Sequence, residues 1–219
     1  MTTPVHLTIG AGPGLGVAVA RRFARAGYHA ALTARTTEDA AALADMLTAD
    51  GFSAEGAAID LLDAADISRV VTEIGTRHGR IDLLHFNPSA WREKDPLHLT
   101  VAELLDDVTL GVAALLPTVQ AAHRFMSRGA RILVTGSAAA DKPWHGAASL
   151  GVQKAGVRNL VTSLDATLAP EGIRAVAVQI NGLLAADTGP FSPPPIAEAM
   201  WAAVNRPEGE WTPHVSYDG

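Results

Sequence analysis

Val5-His6-Leu7-Thr8-Ile9-Gly10-Ala11-Gly12-Pro13-Gly14-Leu15-Gly16 is the stretch that decides the fold of this chain. An apolar, β-branched run closes on glycine and passes through glycines at alternate positions. It then enters Leu15–Ala26, where Leu15, Val19, Phe23 and Ala26 recur at helical spacing. Strand, glycine turn and helix in that order give the glycines a purpose. Glycine takes positive φ and lets a backbone approach a pyrophosphate closely. A helix starting near Gly14 offers free N–H groups and a positive dipole end to the same phosphate. Gly10, Gly12, Gly14, Leu15 and Gly16 are therefore expected to hold a dinucleotide; a merely flexible turn would not call for this alternation.

Working outward, short apolar runs alternate with longer helical ones. Strands are expected over Tyr28–Ala34, Ser53–Ile59, Ile81–Phe86, Ala130–Thr135 and Arg174–Ile180, with a last short one over Trp211–Val215. Helices are expected over Thr36–Asp50, Ala64–Arg77, Val101–Met126 with a bend near Pro117, Ala147–Leu168 and Ile196–Val204. Gly27 is a C-cap candidate for the first helix. Thr188–Pro195, with four prolines in eight residues, is expected to be loop. Alternating strands and helices mean βαβ units, a parallel sheet and an α/β fold in one domain over residues 1–219.

In such a sheet, ligands sit beyond the carboxyl ends of the strands. A ribose 2′-hydroxyl is usually met there by a carboxylate at the end of the second strand. Here that end reads Leu32-Thr33-Ala34-Arg35, with no carboxylate and a planar cation suited to a phosphate. NADP(H) is the expected cofactor, with NAD(H) second; a solvated loop arginine is the other reading of Arg35. Asp60 ends the third strand. It can accept from an adenine amino group or cap the helix near Ala64, while Leu61 could supply a backbone contact.

The chain has 219 residues, a net charge of −6 and no cysteine. The last fact removes disulfides, thiolate metal sites and a Cys nucleophile together; no metal site is expected. No basic run could track a phosphate backbone, so nucleic acid is not an expected partner. The opening MTTPVHLTIG lacks a charged segment followed by a long apolar one. Apolar stretches are too short to span a membrane. A cytoplasmic protein acting on a small molecule is the expectation.

At this point the sequence resembles the short-chain dehydrogenase/reductase family over almost its whole length. Gly10-x-x-x-Gly14-x-Gly16 is similar to that family's cofactor motif. Asp82-Leu83-Leu84-His85-Phe86-Asn87-Pro88-Ser89 resembles its Asn-Asn-Ala-Gly stretch, with Asn87 in register. Arg131-Ile132-Leu133-Val134-Thr135-Gly136-Ser137 resembles the strand carrying the catalytic serine, and Lys154, seventeen residues on, matches the catalytic lysine. The resemblance implies a three-layer Rossmann fold with a doubly wound parallel sheet of about seven strands in the order 3-2-1-4-5-6-7. It implies cofactor contacts from Asn87 and Lys154, and a homodimer or homotetramer built on two long helices. Ala121, Ala122, Leu160, Val161, Leu164 and Leu168 supply apolar stripes compatible with that pairing, or with packing on the sheet.

The family's tyrosine lies four residues before the lysine and thirteen after the serine; both counts reach Leu150. The family's helix asparagine falls at or beside Thr109. Leucine cannot move a proton, and losing a general acid costs about 10²–10⁴ in rate. The chain is expected to be an oxidoreductase with atypical proton handling, a cofactor-binding protein without turnover, or a non-redox catalyst in the same cleft. Ser137 could position a substrate oxygen or merely cap a turn. His145, in the loop Asp141-Lys142-Pro143-Trp144-His145, is the first candidate for a substitute acid. Ser149 is a weaker one, and His85 reads as a core histidine. Trp91 and Trp144 could wall a substrate site or cover the core.

Overall fold

The computed structural model describes residues 3–186 and 188–219. Seven parallel strands form one sheet in the order β3-β2-β1-β4-β5-β6-β7. They are β1 (Val5–Ile9), β2 (His29–Ala34), β3 (Ala54–Ala58), β4 (Leu83–Phe86), β5 (Arg131–Ser137), β6 (Arg174–Ile180) and β7 (His214–Tyr217). The helices are α1 (Leu15–Ala24), α2 (Thr37–Ala49), α3 (Ala64–His78), α4 (Val101–Val108), α5 (Leu115–Ala122), α6 (Ala148–Leu168) and α7 (Pro193–Val204). Each crossover carries helices, so both faces of the sheet are covered and the fold is the doubly wound Rossmann type.

Apolar side chains decide which helix lies on which face. Leu7 and Ile9 of β1 pack with Val70, Val71 and Ile74 of α3, Leu115 and Val119 of α5, and Val157 and Val161 of α6. On the other face, Val19 and Phe23 of α1 meet Ile196 and Met200 of α7, while Val17 and Ala20 meet Ala40, Leu43 and Leu47 of α2. Ala122, Val161 and Leu168 are buried in the first of these cores, and Ala121, Leu160 and Leu164 pack against it. The apolar stripes of the two long helical segments thus face the sheet.

Local signals start and stop the helices. Thr36 Oγ1 accepts from Asp39 N at 3.1 Å to open α2, and Thr100 and Glu103 form a reciprocal capping box at α4. Asp63, not Asp60, caps α3, its Oδ1 accepting from Ala65 N at 2.8 Å. Two helical expectations need correction, and the last strand, expected over Trp211–Val215, runs over His214–Tyr217. Residues 101–126 are not one helix bent at Pro117: α4 and α5 are joined by a π-helical turn, Thr109–Ala113, and a short 3-10 turn, His123–Phe125, follows. Pro193, Pro194 and Pro195 are not loop but the first turn of α7. Proline is tolerated there because first-turn N–H groups have no intrahelical acceptor. Among the described residues no helix is long and apolar enough to cross a membrane.

Candidate functional site

The carboxyl end of β1 turns at Gly10, whose φ is +70°. A Cβ there would be strained and would sit 2.9 Å from Pro88 Cγ. The turn is tied to the end of β2: Gly10 N donates to Thr33 Oγ1 at 3.2 Å and Ala11 N to Thr33 O at 2.8 Å. Gly14 is the N-cap of α1 and has no side-chain cap to cover the free N–H groups behind it. A Cβ on Gly12 would meet no atom within 4 Å. Backbone with open space in front of it and a bare helix start behind it suits a diphosphate.

A cleft of about 780 Å³ opens over this turn. It brings together Gly10, Gly12, Arg35, Asp60, Leu61 and Asn87, drawn from the ends of four neighbouring strands. Gly14, Leu15 and Gly16 begin the helix beside it. Arg35 is exposed and makes no ion pair among the described residues. Its guanidinium is thus available to an anion. Asp60 Oδ1 accepts from Leu62 N at 2.9 Å, and a carboxylate has lone pairs left for an amino donor. The pattern of donors fits a dinucleotide.

A hydrogen-bonded chain holds the middle of the site. Asn87 Nδ2 donates to Gly10 O at 3.0 Å, and Asn87 Oδ1 accepts from Thr135 Oγ1 at 2.7 Å. Thr135 has then spent its proton, so it accepts from His85 Nε2–H at 2.9 Å. Burial pulls the His85 imidazole down to about 3, so it is a neutral core histidine. Lys154 Nζ donates to Thr135 O at 3.0 Å. Only 5% exposed, the ammonium is pulled down to about 8 by loss of water. That bond uses one of its three donors.

Ser137 ends β5, and its Oγ accepts from Ala139 N at 3.2 Å. A hydroxyl that accepts keeps its own proton to donate, so the turn-capping bond leaves the group chemically available. Leu150 lies on α6 one turn before Lys154. Ser149 is buried, and its Oγ donates to Asp107 Oδ2 at 2.7 Å; its proton is committed there. His145 is exposed and lines a different, largely apolar cleft of about 660 Å³ between α4 and α6, with Leu104, Trp144 and Val152. Neither Ser137 nor Lys154 lines that cleft. Trp91 and Trp144 stack at 5.9 Å and are both mostly exposed, so they do not cover the core.

Sequence reasoning missed the clamp that shapes the loop after β4. Arg92 holds buried Asp107 with two bonds of 2.9 Å, and Lys94 Nζ reaches Glu103 at 2.6 Å. Arg92 keeps the Asp107 carboxyl below its ordinary range. Gln153 reads both backbone groups of Ala90: its Oε1 accepts from Ala90 N at 2.9 Å, and its Nε2 donates to Ala90 O at 3.2 Å. No local pattern announces these contacts, whose partners lie 9 to 63 residues apart.

The comparisons with known proteins agree with this geometry. Residues 4–190 match the family model described as short chain dehydrogenase, and the chain belongs to that family of oxidoreductases. It is 35% identical over 185 residues to a protein assigned as the ketoacyl reductase of the monensin polyketide synthase in Streptomyces virginiae, covering 81% of this chain and 69% of that one. It is 28% identical over 171 residues to the 3-oxoacyl-[acyl-carrier-protein] reductase FabG of Escherichia coli, covering 77% and 69%. A metagenomic short-chain oxidoreductase solved in complex with NADP superposes with a TM-score of 0.86 at 24% identity, over 99% of this chain and 97% of that one. That likeness shows the fold.

Proposed function

We propose that this protein is an NADP(H)-dependent oxidoreductase that moves hydride to or from a small organic substrate without a protein phenol. The observation that carries the reading is the cleft over the glycine turn, where open backbone at Gly12, the uncapped start of α1 and the unpaired Arg35 converge. Its assignment to NADP(H) rests on Arg35, and the neighbour solved with NADP supports it. Relatives named for ketoacyl reduction support a carbonyl-like substrate. When bound, the cofactor supplies the hydride. Lys154 orients its ribose, Asn87 and Thr135 keep the turn and β5 in register, and Ser137 donates to a substrate oxygen.

Leu150 stands where the family carries its proton donor. Water supplies the proton, or the substrate is an iminium or a conjugated alkene that needs less protein assistance than a ketone. His145 belongs to the rim of the neighbouring cleft and would reach the reacting atoms only if the substrate bridges the two.

Fluorescence titration with NADPH and NADH tests the cofactor. Tighter binding of NADPH, lost by at least about tenfold in Arg35→Ala, is expected; equal binding of both in the wild type would overturn the assignment. Loss of reduced-nicotinamide absorbance across carbonyl, imine and enone substrates then tests turnover. Binding without turnover, with ketone reduction appearing only in Leu150→Tyr, would select the second reading, a cofactor-binding protein. That reading is favoured by a single feature, the aliphatic side chain at 150.

A further inference from the structure

At the amino-terminal ends of the strands, away from the glycine turn, three side chains from three elements converge. His29 is the first residue of β2, Glu55 the second of β3 and His78 the last of α3. Strand register explains the meeting: Ala31 pairs with Glu55, so His29 and Glu55 point to the same face, the one on which α3 packs. His78 Nε2 lies 2.8 Å from Glu55 Oε1, and His29 Nε2 lies 3.8 Å from the same oxygen. One ligating atom from each residue falls within 4.8 Å of the others.

Four features separate this group from an ordinary polar cluster. His29 Nε2 is buried and has no hydrogen-bond partner, a state that native interiors seldom leave unexplained. Its other nitrogen, Nδ1, is held by Ser53 Oγ at 2.7 Å. A partner on the far nitrogen is the usual support of a ligating imidazole, since it fixes ring orientation. The carboxylate divides its work in the same way: Oε2 takes the Arg77 guanidinium, and Oε1 faces the two imidazoles. Helix α3 ends at this point with Gly79 in the left-handed region, presenting the negative end of its dipole.

We propose that His29 Nε2, His78 Nε2 and Glu55 Oε1 bind one divalent transition-metal ion of the zinc class. Two imidazoles and a carboxylate suit zinc, cobalt or nickel rather than magnesium or calcium. Tetrahedral coordination places ligand atoms about 3.3 Å apart. The shorter contact opens and the longer closes by about half an ångström each to meet it. The fourth position is water, because all three residues are partly exposed. Arg77 is itself more than half exposed, so its repulsion of the ion is screened by solvent. The ion would tie edge strand β3 and β2 to the end of α3, remote from the hydride chemistry. It would act on stability and leave cofactor binding alone.

The test is calorimetric titration of chelator-stripped full-length protein with zinc chloride, alongside thermal unfolding with and without the ion. The wild type is expected to bind one equivalent and to unfold several degrees higher with zinc. His29→Gln and His78→Gln are each expected to lose more affinity than the about 10–100-fold typical of an outer-shell change, and to lose the thermal shift. His78→Gln is the safer variant because it sits at a helix end, and circular dichroism with NADPH binding reports whether each variant is folded. No stoichiometric binding in the wild type would overturn the proposal. So would undiminished binding in both variants, which would place the ion on other histidines.

Discussion

His6 and His85 stack inside the sheet with ring centroids 5.9 Å apart, and the Nδ1 of each is buried without a partner. Burial holds His85 down to about 3 and His6 well below its ordinary value, with the neighbouring imidazole adding to the latter. In the unfolded chain both take a proton near pH 6.5. Between that pH and about 3 the unfolded state therefore binds more protons than the folded one, and stability falls as the solution is acidified. His85 alone contributes a loss on the order of 5 kcal/mol across the window. Urea unfolding at pH 7 and pH 5 is expected to show a clear drop, reduced in His85→Gln. Lys154 works at the other end. Its folded value near 8 lies below the unfolded 10.5, so stability rises between those pH values as the buried group discharges. Gly12→Ala belongs to the same scale: a Cβ there meets no atom within 4 Å, so unfolding is expected to change little while NADPH binding is weakened.

The elements that sequence revealed are those whose signals are local. The turn Gly10–Gly16 and the helix start at Thr36 each carry their instruction within a few residues. The segment 101–126 does not, because its π-helical turn accompanies a tertiary contact. Gly111 lies in that turn, and a Cβ on it would come within 2.3 Å of Gln153 Oε1 on α6. The prolines of α7 mislead for a different reason: composition marks them as loop, while position within a helix decides whether they are tolerated. At the site, Arg35, Asp60 and Asn87 were legible because strand ends are legible. The loop clamp was not, since Arg92, Asp107 and Ser149 meet only after folding. Asp107→Ala removes the acceptor shared by Arg92 and Ser149 and is expected to lower the urea midpoint further than Ser149→Ala, which costs about 1 kcal/mol.

For the whole molecule, the exposed apolar side chains of helices α4, α5 and α6 matter most. Val101 is 74%, Leu105 59%, Leu116 42% and Val152 50% exposed, whereas the stripe through Val161 and Leu168 is spent on the sheet. We propose that the first set pairs across a two-fold axis in a homodimer or homotetramer. Sedimentation velocity is expected to show an oligomer that Leu105→Glu or Val152→Glu converts to monomer; a monomeric wild type would refute it. Strand order carries one last consequence, which concerns synthesis rather than function. The first strand, β1, lies inside the sheet, and its two flanks are β2 and β4. The second flank is not translated until Phe86. At about 10 residues per second a ribosome takes several seconds to reach it. During that interval an apolar strand with an open backbone edge is attached to the ribosome, and a nascent chain stalled before residue 83 should be the form most avidly held by chaperones.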